Sequence, residues 1–251
     1  MKVDILASGS EGNCIALRSS GTTILIDAGI AKTKIDKRLL EVGIRPDDIE
    51  AIFVTHAHSD HVKGLPLANK YHIPVYASEG EWKSIKGVDE DLMNSIDDKG
   101  TLFDYEGLSE WIDIVPFKTH HDAFEPLGYI AQTEKVKVSV CLDTGKVDSN
   151  MLESMQGSNI YIIESNHEPG MLEYSNYPNS VKARILSDIG HLSNEQTASV
   201  LSKLVHGIGE NIYLTHLSSS NNMPELAKMT VIRALSKKGF KQNKHYFLEV
   251  V

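Results

Sequence analysis

The segment His56-Ala57-His58-Ser59-Asp60-His61 follows directly on the apolar run IEAIFV and constrains this chain more than any other feature. A run of that kind reads as a buried strand, and residues leaving a strand end are held in place by the sheet behind them. In extended backbone His56 and His58 point to the same side and can share one cation. Asp60 and His61 sit where the chain bends toward a helix, so they can reach a second. Imidazole and carboxylate donors suit zinc, manganese or iron(II). Thiolate plays no part in this expectation: Cys14 and Cys141 show no paired spacing, which argues against a disulfide framework or a cysteine zinc site and reads them as small buried hydrophobes.

Two cations need more donors than this motif has, and the chain carries them after later apolar runs. KTHHDAFEP follows WIDIVPF, LDTG follows VKVSVC, and LTHLS follows NIY. His120 and His121 are alternatives for one ligand. Asp143, before Thr144-Gly145, suits a turn as well as a ligand.

Periodicity and turn signals give the surrounding elements. VDILA, NCIALR and TTILIDAG, separated by SGSEG and SSG, read as a strand meander. Helices are expected at 34–42, closed by Gly43, and from His61 to Tyr71, the latter followed by the strand PVYA. WIDIVPF, GYIAQT and VKVSVCL read as strands, the last two joined at Glu134-Lys135. Helix and strand then alternate, with helices at 149–155, 180–186, 194–205 and 224–237 between IYIIES, NIYLT and YFLEV. Meanders interleaved with helices in both halves predict a four-layer αββα sandwich of two mixed sheets. With 251 residues and no proline-rich, glycine-rich or repeated segment, one domain over 1–251 is expected.

The charge of −9 argues against a polyanion substrate, because affinity for phosphates depends on lysine and arginine. Eight of the acids lie between Val88 and Glu110 against the single base Lys99, so the remainder is nearly balanced. The cluster Lys237, Lys238, Lys241 and Lys244 reads as solvated surface, as do Lys182 and Arg184. The opening residues have neither a basic start with a long apolar run nor a cleavage site, and no apolar stretch has membrane-spanning length, so a cytoplasmic protein with no membrane contact is expected.

HAHSDH with a later histidine, aspartate and histidine resembles the metallo-β-lactamase superfamily. That resemblance implies that His56, His58 and His121 hold one ion, Asp60, His61 and His216 the other, and that Asp143 bridges them. GHLSNEQTA followed by YLTHLS resembles the pairing found in ribonuclease Z and related phosphodiesterases, which makes His191 the candidate proton donor. Over nearly the whole chain, SGSEGNC, LIDAG, IFVTHAHSDHVKGL, HDAFEPLGY, LDTG, ESNHEPGML, GHLSN and LTHLSSSNN resemble, in that order, the YycJ/WalJ subgroup, described as DNA exonucleases. The implied activity is phosphodiester cleavage by hydroxide held between two divalent ions, with Asp60 and Asp143 orienting it and His191 protonating the departing oxygen. The implied partner is nucleic acid, DNA in particular; the oligomeric state stays open.

Weaker candidates for substrate contact are Ser10 and Asn13 in the glycine-flanked loop, which a plain strand turn explains equally, together with His167 and Asn222. For His167 a helix start at Asn166 to Pro169 is the alternative. Rival functions are hydrolysis of a small cyclic phosphodiester, which the net acidity favours, an iron-dependent sulfur dioxygenase, and a regulatory binding protein without turnover.

Overall fold

In the computed structural model, which describes residues 1–19, 21–97, 100–103 and 112–251, the apolar runs pair as the turn signals require. Strands β1 (Lys2–Ala7), β2 (Cys14–Ser19) and β3 (Thr22–Ile26) form an antiparallel meander. Strands β4 (Ile49–Phe53), β5 (Val75–Ala77) and β6 (Met93–Ser95) then add in parallel, giving a six-stranded mixed sheet in the order β1 to β6. A parallel step needs a crossover. Helix α1 (Lys32–Glu41) makes the one between β3 and β4, burying Ile35 and Leu39 one turn apart in a core shared with Leu25 and Ile52.

The single helix expected from His61 to Tyr71 is instead two, α2 (Ser59–Val62) and α3 (Pro66–Tyr71). Pro66 is the reason: it lacks an amide hydrogen and its ring clashes with the preceding turn, yet it suits the first position of a new helix. The break confines Asp60 and His61 to one short turn. Two further short elements carry no strong sequence signal, α4 (Glu79–Trp82) and β7 (Thr101–Phe103). Within the acidic stretch, Asp98, Lys99, Asp104, Glu106 and Glu110 lie outside the described residues, as does Trp111.

The second mixed sheet is seven-stranded, in the order β13-β12-β11-β10-β9-β8-β7, with β8 at Ile112–Lys118 and β9 at Leu127–Gln132. Its parallel part comprises β10 (Lys137–Cys141), β11 (Ile160–Glu164), β12 (Glu210–Thr215) and β13 (Tyr246–Val250). The crossovers are α5 (Ser149–Met155), then α6 (Pro169–Glu173), α7 (Asn179–Ile185) and α8 (Asn194–Leu204), then α9 (Pro224–Lys237). Two mixed sheets flanked by helices are therefore present as expected.

The chain divides into two compact units. One holds Met1–Pro116, Ala123–Leu127 and Ala131–Lys135; the other holds Phe117–Asp122, Gly128–Ile130 and Val136–Val251. Both cysteines are fully buried, and burial pushes both thiols far above the usual range, in keeping with their expected role as small hydrophobes. Among the described residues no helix is long and apolar enough to cross a membrane.

Candidate metal centre

In the first unit the metal-capable motif leaves β4 and is held from behind. Asn13 donates its amide N–H to the Asp60 carbonyl, and Ala28 donates to the His61 carbonyl, each at 2.8 Å. A Cβ at Gly29 would stand 1.6 Å from the Asp60 oxygen, so only glycine allows the two backbones to approach this closely. The SGSEGN and LIDAG loops thus clamp the motif. The ligand atoms of His56 and His58 lie within 4.8 Å of each other, as do those of Asp60 and His61. The paired grouping read from the sequence is therefore present in the geometry.

The His61 ring carries information about its own tautomer. Its Nδ1 lies 2.7 Å from Oδ2 of Asp27, a fully buried carboxylate that also accepts from the Thr55 amide at 2.8 Å and the Thr55 hydroxyl at 2.9 Å. A hydrogen on Nδ1 is thereby fixed, and Nε2 is left as the donor to a cation, the usual device for orienting a metal-binding histidine. Asp27 itself is held at a positive φ of 60°, unfavourable for a residue with a Cβ by about 1–2 kcal/mol. Burial pushes its carboxyl upward against the opposing pull of His61 and Thr55. Asn13 also reaches this ring, its side-chain nitrogen 3.2 Å from Nε2, whereas Ser10 is exposed at the loop.

In the second unit the donors come from separate strand ends. Asp143 follows β10, Glu164 ends β11, and His216 follows β12; because these strands are parallel and in register, their carboxyl ends share one edge. His216 has a positive φ of 54°, a second strained backbone position at the site. His120 and His121 separate cleanly. The His120 ring turns to Asp148, Nε2 to Oδ2 2.8 Å, whereas His121 is buried with Nε2 3.5 Å from Oδ2 of Asp143. Nδ1 of His121 points to the Gly190 carbonyl at 3.1 Å, and a carbonyl only accepts, so that nitrogen carries the hydrogen. Burial lowers the pKa of His121, which disfavours a second proton. Its Nε2 lone pair thus faces a carboxylate oxygen, a repulsive pairing that a cation between them turns into two bonds. The other Asp143 oxygen, Oδ1, lies 3.0 Å from Nδ1 of His216. One carboxylate facing two different histidines with its two oxygens has the form of a bridge between two cations. The donor set therefore fits divalent metal ions.

The comparisons with known proteins bear on the same residues. The metallo-beta-lactamase superfamily model matches residues 7–136, more than half the chain and inclusive of HAHSDH and His121. The chain belongs to that superfamily. Within it, the chain is 38% identical over 243 residues to exodeoxyribonuclease YycJ of Bacillus anthracis, covering 94% of this chain and 89% of that one. It is 37% identical over 239 residues to exodeoxyribonuclease WalJ of Streptococcus pneumoniae, covering 94% and 88%. This places it in the YycJ/WalJ family. Among solved structures, the metallo-beta-lactamase fold protein YhfI of Bacillus subtilis covers 99% of this chain and 95% of its own, with a TM-score of 0.68 at 13% identity, a likeness of fold.

Metallo-beta-lactamase folds are read by their histidines, yet here two carboxylates that sequence reasoning passed over organise those histidines. Asp27 is one and Glu164 the other. Glu164 is fully buried, accepts from the Thr144 amide at 2.6 Å and the Leu192 amide at 3.3 Å, and lies 3.0 Å from Nδ1 of His191 and 3.6 Å from Nδ1 of His216. Burial pushes this carboxyl upward, but the pull of the two histidines outweighs it and holds it below the ordinary range. His191 responds in kind: burial would lower it, and Glu164 with Asp143 raises it above the usual histidine value. The signal available in sequence was a lone acid closing an apolar run, LID and IIE. A third acid, Glu81, is buried in the first unit and accepts from the amides of Ala57 and Glu125, each at 2.7 Å, bracing the motif. It had no such signal.

The remaining candidates are placed as follows. GHLSN is a helix start: Ser193 and Gln196 form a capping box on α8, leaving His191 just outside it. His167 is buried beside this cap in a β-bridge with Ser193, and burial lowers its pKa to about 4, so it is a neutral ring. Helix α6 begins two residues later at Pro169. Asn222 braces the interior. Its amide nitrogen donates to the Ser165 carbonyl at 2.7 Å and to Asn194 at 2.9 Å, and its oxygen accepts from the Met223 amide at 2.8 Å.

Proposed function

We propose that this protein is a dinuclear metal-dependent phosphodiesterase that acts as a DNA exonuclease. His56, His58 and His121 would hold one cation and Asp60, His61 and His216 the other, with Asp143 shared between them. Zinc and manganese suit this set of nitrogen and oxygen donors. The observation that carries the reading is Asp143, with Oδ2 toward His121 and Oδ1 toward His216, in a chain 37–38% identical to two exodeoxyribonucleases.

Bound there, two cations supply a water of lowered pKa and neutralise charge on the phosphoryl oxygens. The protein's own groups do the rest. Asp60 and Asp143 orient the attacking water as acceptors. His191 is the proton donor: its Nδ1 is committed to Glu164, its side chain is 12% exposed where that of Glu164 is fully buried, and its raised pKa favours the protonated ring. The Nε2 hydrogen then passes to the departing sugar oxygen, with Glu164 holding the ring in the orientation that directs it.

The net charge of −9 favours a second reading, a small cyclic phosphodiester as substrate, because an acidic protein repels a long polyanion more than a small one. One experiment separates the two. Metal-reconstituted protein is incubated with end-labelled single- and double-stranded DNA and RNA and with a cyclic dinucleotide. Mononucleotides released progressively from one end of DNA are the expected result; turnover of the cyclic dinucleotide alone would replace the nuclease reading with the second.

A further inference from the structure

Thirteen large apolar side chains are exposed among the described residues, and four of them, Tyr174, Tyr177, Leu186 and Ile189, fall within a stretch of sixteen residues that ends two before His191. Exposed apolar groups scattered singly need no explanation, whereas a concentration beside a reactive group does. Tyr174 is 86% exposed, Leu186 62% and Ile189 49%.

The stretch is firmly built. The His191 amide donates to the Ile185 carbonyl at 3.0 Å and the Gly190 amide to the Ser187 carbonyl at 2.9 Å. A Cβ at Gly145 would stand 2.3 Å from the Ser187 oxygen, so the turn after α7 packs directly on the loop that carries Asp143. Arg184 pairs with Asp122 at 2.8 Å, next to His121. At the other end of α7, Lys182 donates to the Glu173 carbonyl at 2.7 Å, tying this helix to the end of α6, where Tyr174 is the C-cap. Tyr177 stands just before α7, and Leu186 is its C-cap, one turn beyond Lys182 on the same face. A helix of seven residues is about 10 Å long, roughly the span of three stacked nucleotides.

We propose that Tyr174, Tyr177, Leu186 and Ile189 form a stacking platform for the unpaired bases of a DNA strand that lie on the side of the departing oxygen, within three positions of the strand end. The inference rests on the nuclease reading. If His191 protonates the leaving oxygen, the nucleoside bearing that oxygen lies on the His191 side, and the apolar groups nearest it, Leu186 and Ile189, meet that nucleoside. Aromatic and aliphatic faces accept every base without reading its edge, which suits an exonuclease that must pass over any sequence. The charge agrees: Lys182 makes no ion pair among the described residues, its ammonium being turned to a carbonyl, so it remains available to a phosphate. A paired terminus offers no base faces beyond its last stack, so the platform also requires that the end be opened before cleavage.

The test compares single-stranded oligonucleotides with intact bases and the same strands with abasic residues at the three terminal positions, placed at either end. The wild-type KM should be at least tenfold lower for the intact strand at the end that is attacked. Tyr174→Ala/Tyr177→Ala and Leu186→Ala/Ile189→Ala should each raise KM for the intact strand roughly tenfold, the scale of one lost stacking contact, and leave KM for the abasic strand unchanged. Equal wild-type KM values for intact and abasic strands, or variants that weaken both strands alike, would overturn the platform while the nuclease reading stands. The wild-type comparison decides even if a variant misfolds. A wild-type protein that degrades no DNA would sink both.

Discussion

Two histidine–carboxylate pairs, one in each compact unit, look alike in a list of contacts and differ in what surrounds them. Asp27 meets a single histidine, His61, and the Thr55 amide and hydroxyl, and burial wins, so its carboxyl is pushed up. Glu164 meets His191 and His216 together with two backbone amides, and the histidines win, so its carboxyl is held down and the pKa of His191 is raised. The same pair thus serves two ends. With one histidine it fixes the tautomer of His61; with two it favours the protonated form of His191 beside Asp143. The number of partners around the carboxylate, more than the pair itself, sets the outcome.

The largest effect should come from Asp143, which stands beside the second pair. Asp143→Asn is expected to fold, to lose nearly all cleavage of a dinucleotide and of bis(p-nitrophenyl) phosphate alike, and to bind fewer than two metal ions per chain, since a neutral amide leaves the charge of two cations uncompensated. Near wild-type activity with two metals bound would remove Asp143 from the centre.

The pair of Glu164 and His191 is tested by leaving-group chemistry. A sugar alkoxide departs poorly unless protonated, whereas p-nitrophenolate needs little help. His191→Ala should therefore slow dinucleotide cleavage by roughly two to four orders of magnitude, the usual range for a positioned acid, and largely spare bis(p-nitrophenyl) phosphate. Equal losses on both substrates with metal content intact would make His191 a positioning residue and erase the distinction between the two pairs.

The tautomer-fixing pair should give the smallest effect and one of a different kind. Asp27→Asn is expected to weaken metal affinity by roughly 10- to 100-fold, the usual range for removing a carboxylate that orients a ligating histidine. Activity should return when excess metal is added, with the ratio of rates on the two substrates unchanged. A loss that metal does not rescue would point to Asp27 acting on the reaction itself.

Much of the site was legible because its first half is local. Four donors within six residues after an apolar run keep their spacing whatever the rest of the chain does, and the one error there, a continuous helix from His61 to Tyr71, traces to Pro66. GHLSN, singled out in the sequence for His191, also carries Ser193, the N-cap of α8. Glycine in LIDAG was legible only as a turn; that it must admit the Asp60 carbonyl appears when the two loops are brought together.

By itself the sequence determined the strands, most of the helices, the class of donor atoms and the superfamily, because each of these depends on residue type and short-range periodicity. Only the tertiary structure decided which of His120 and His121 turns toward Asp143, that Asn222 is an internal brace, and that Asp27, Glu81 and Glu164 hold the site in shape. The physical reason is distance along the chain. His61 and Asp27 are 34 residues apart, and His191 and Glu164 are 27. A carboxylate's partners at that range are chosen by which strand ends a sheet aligns, and no local pattern records that choice.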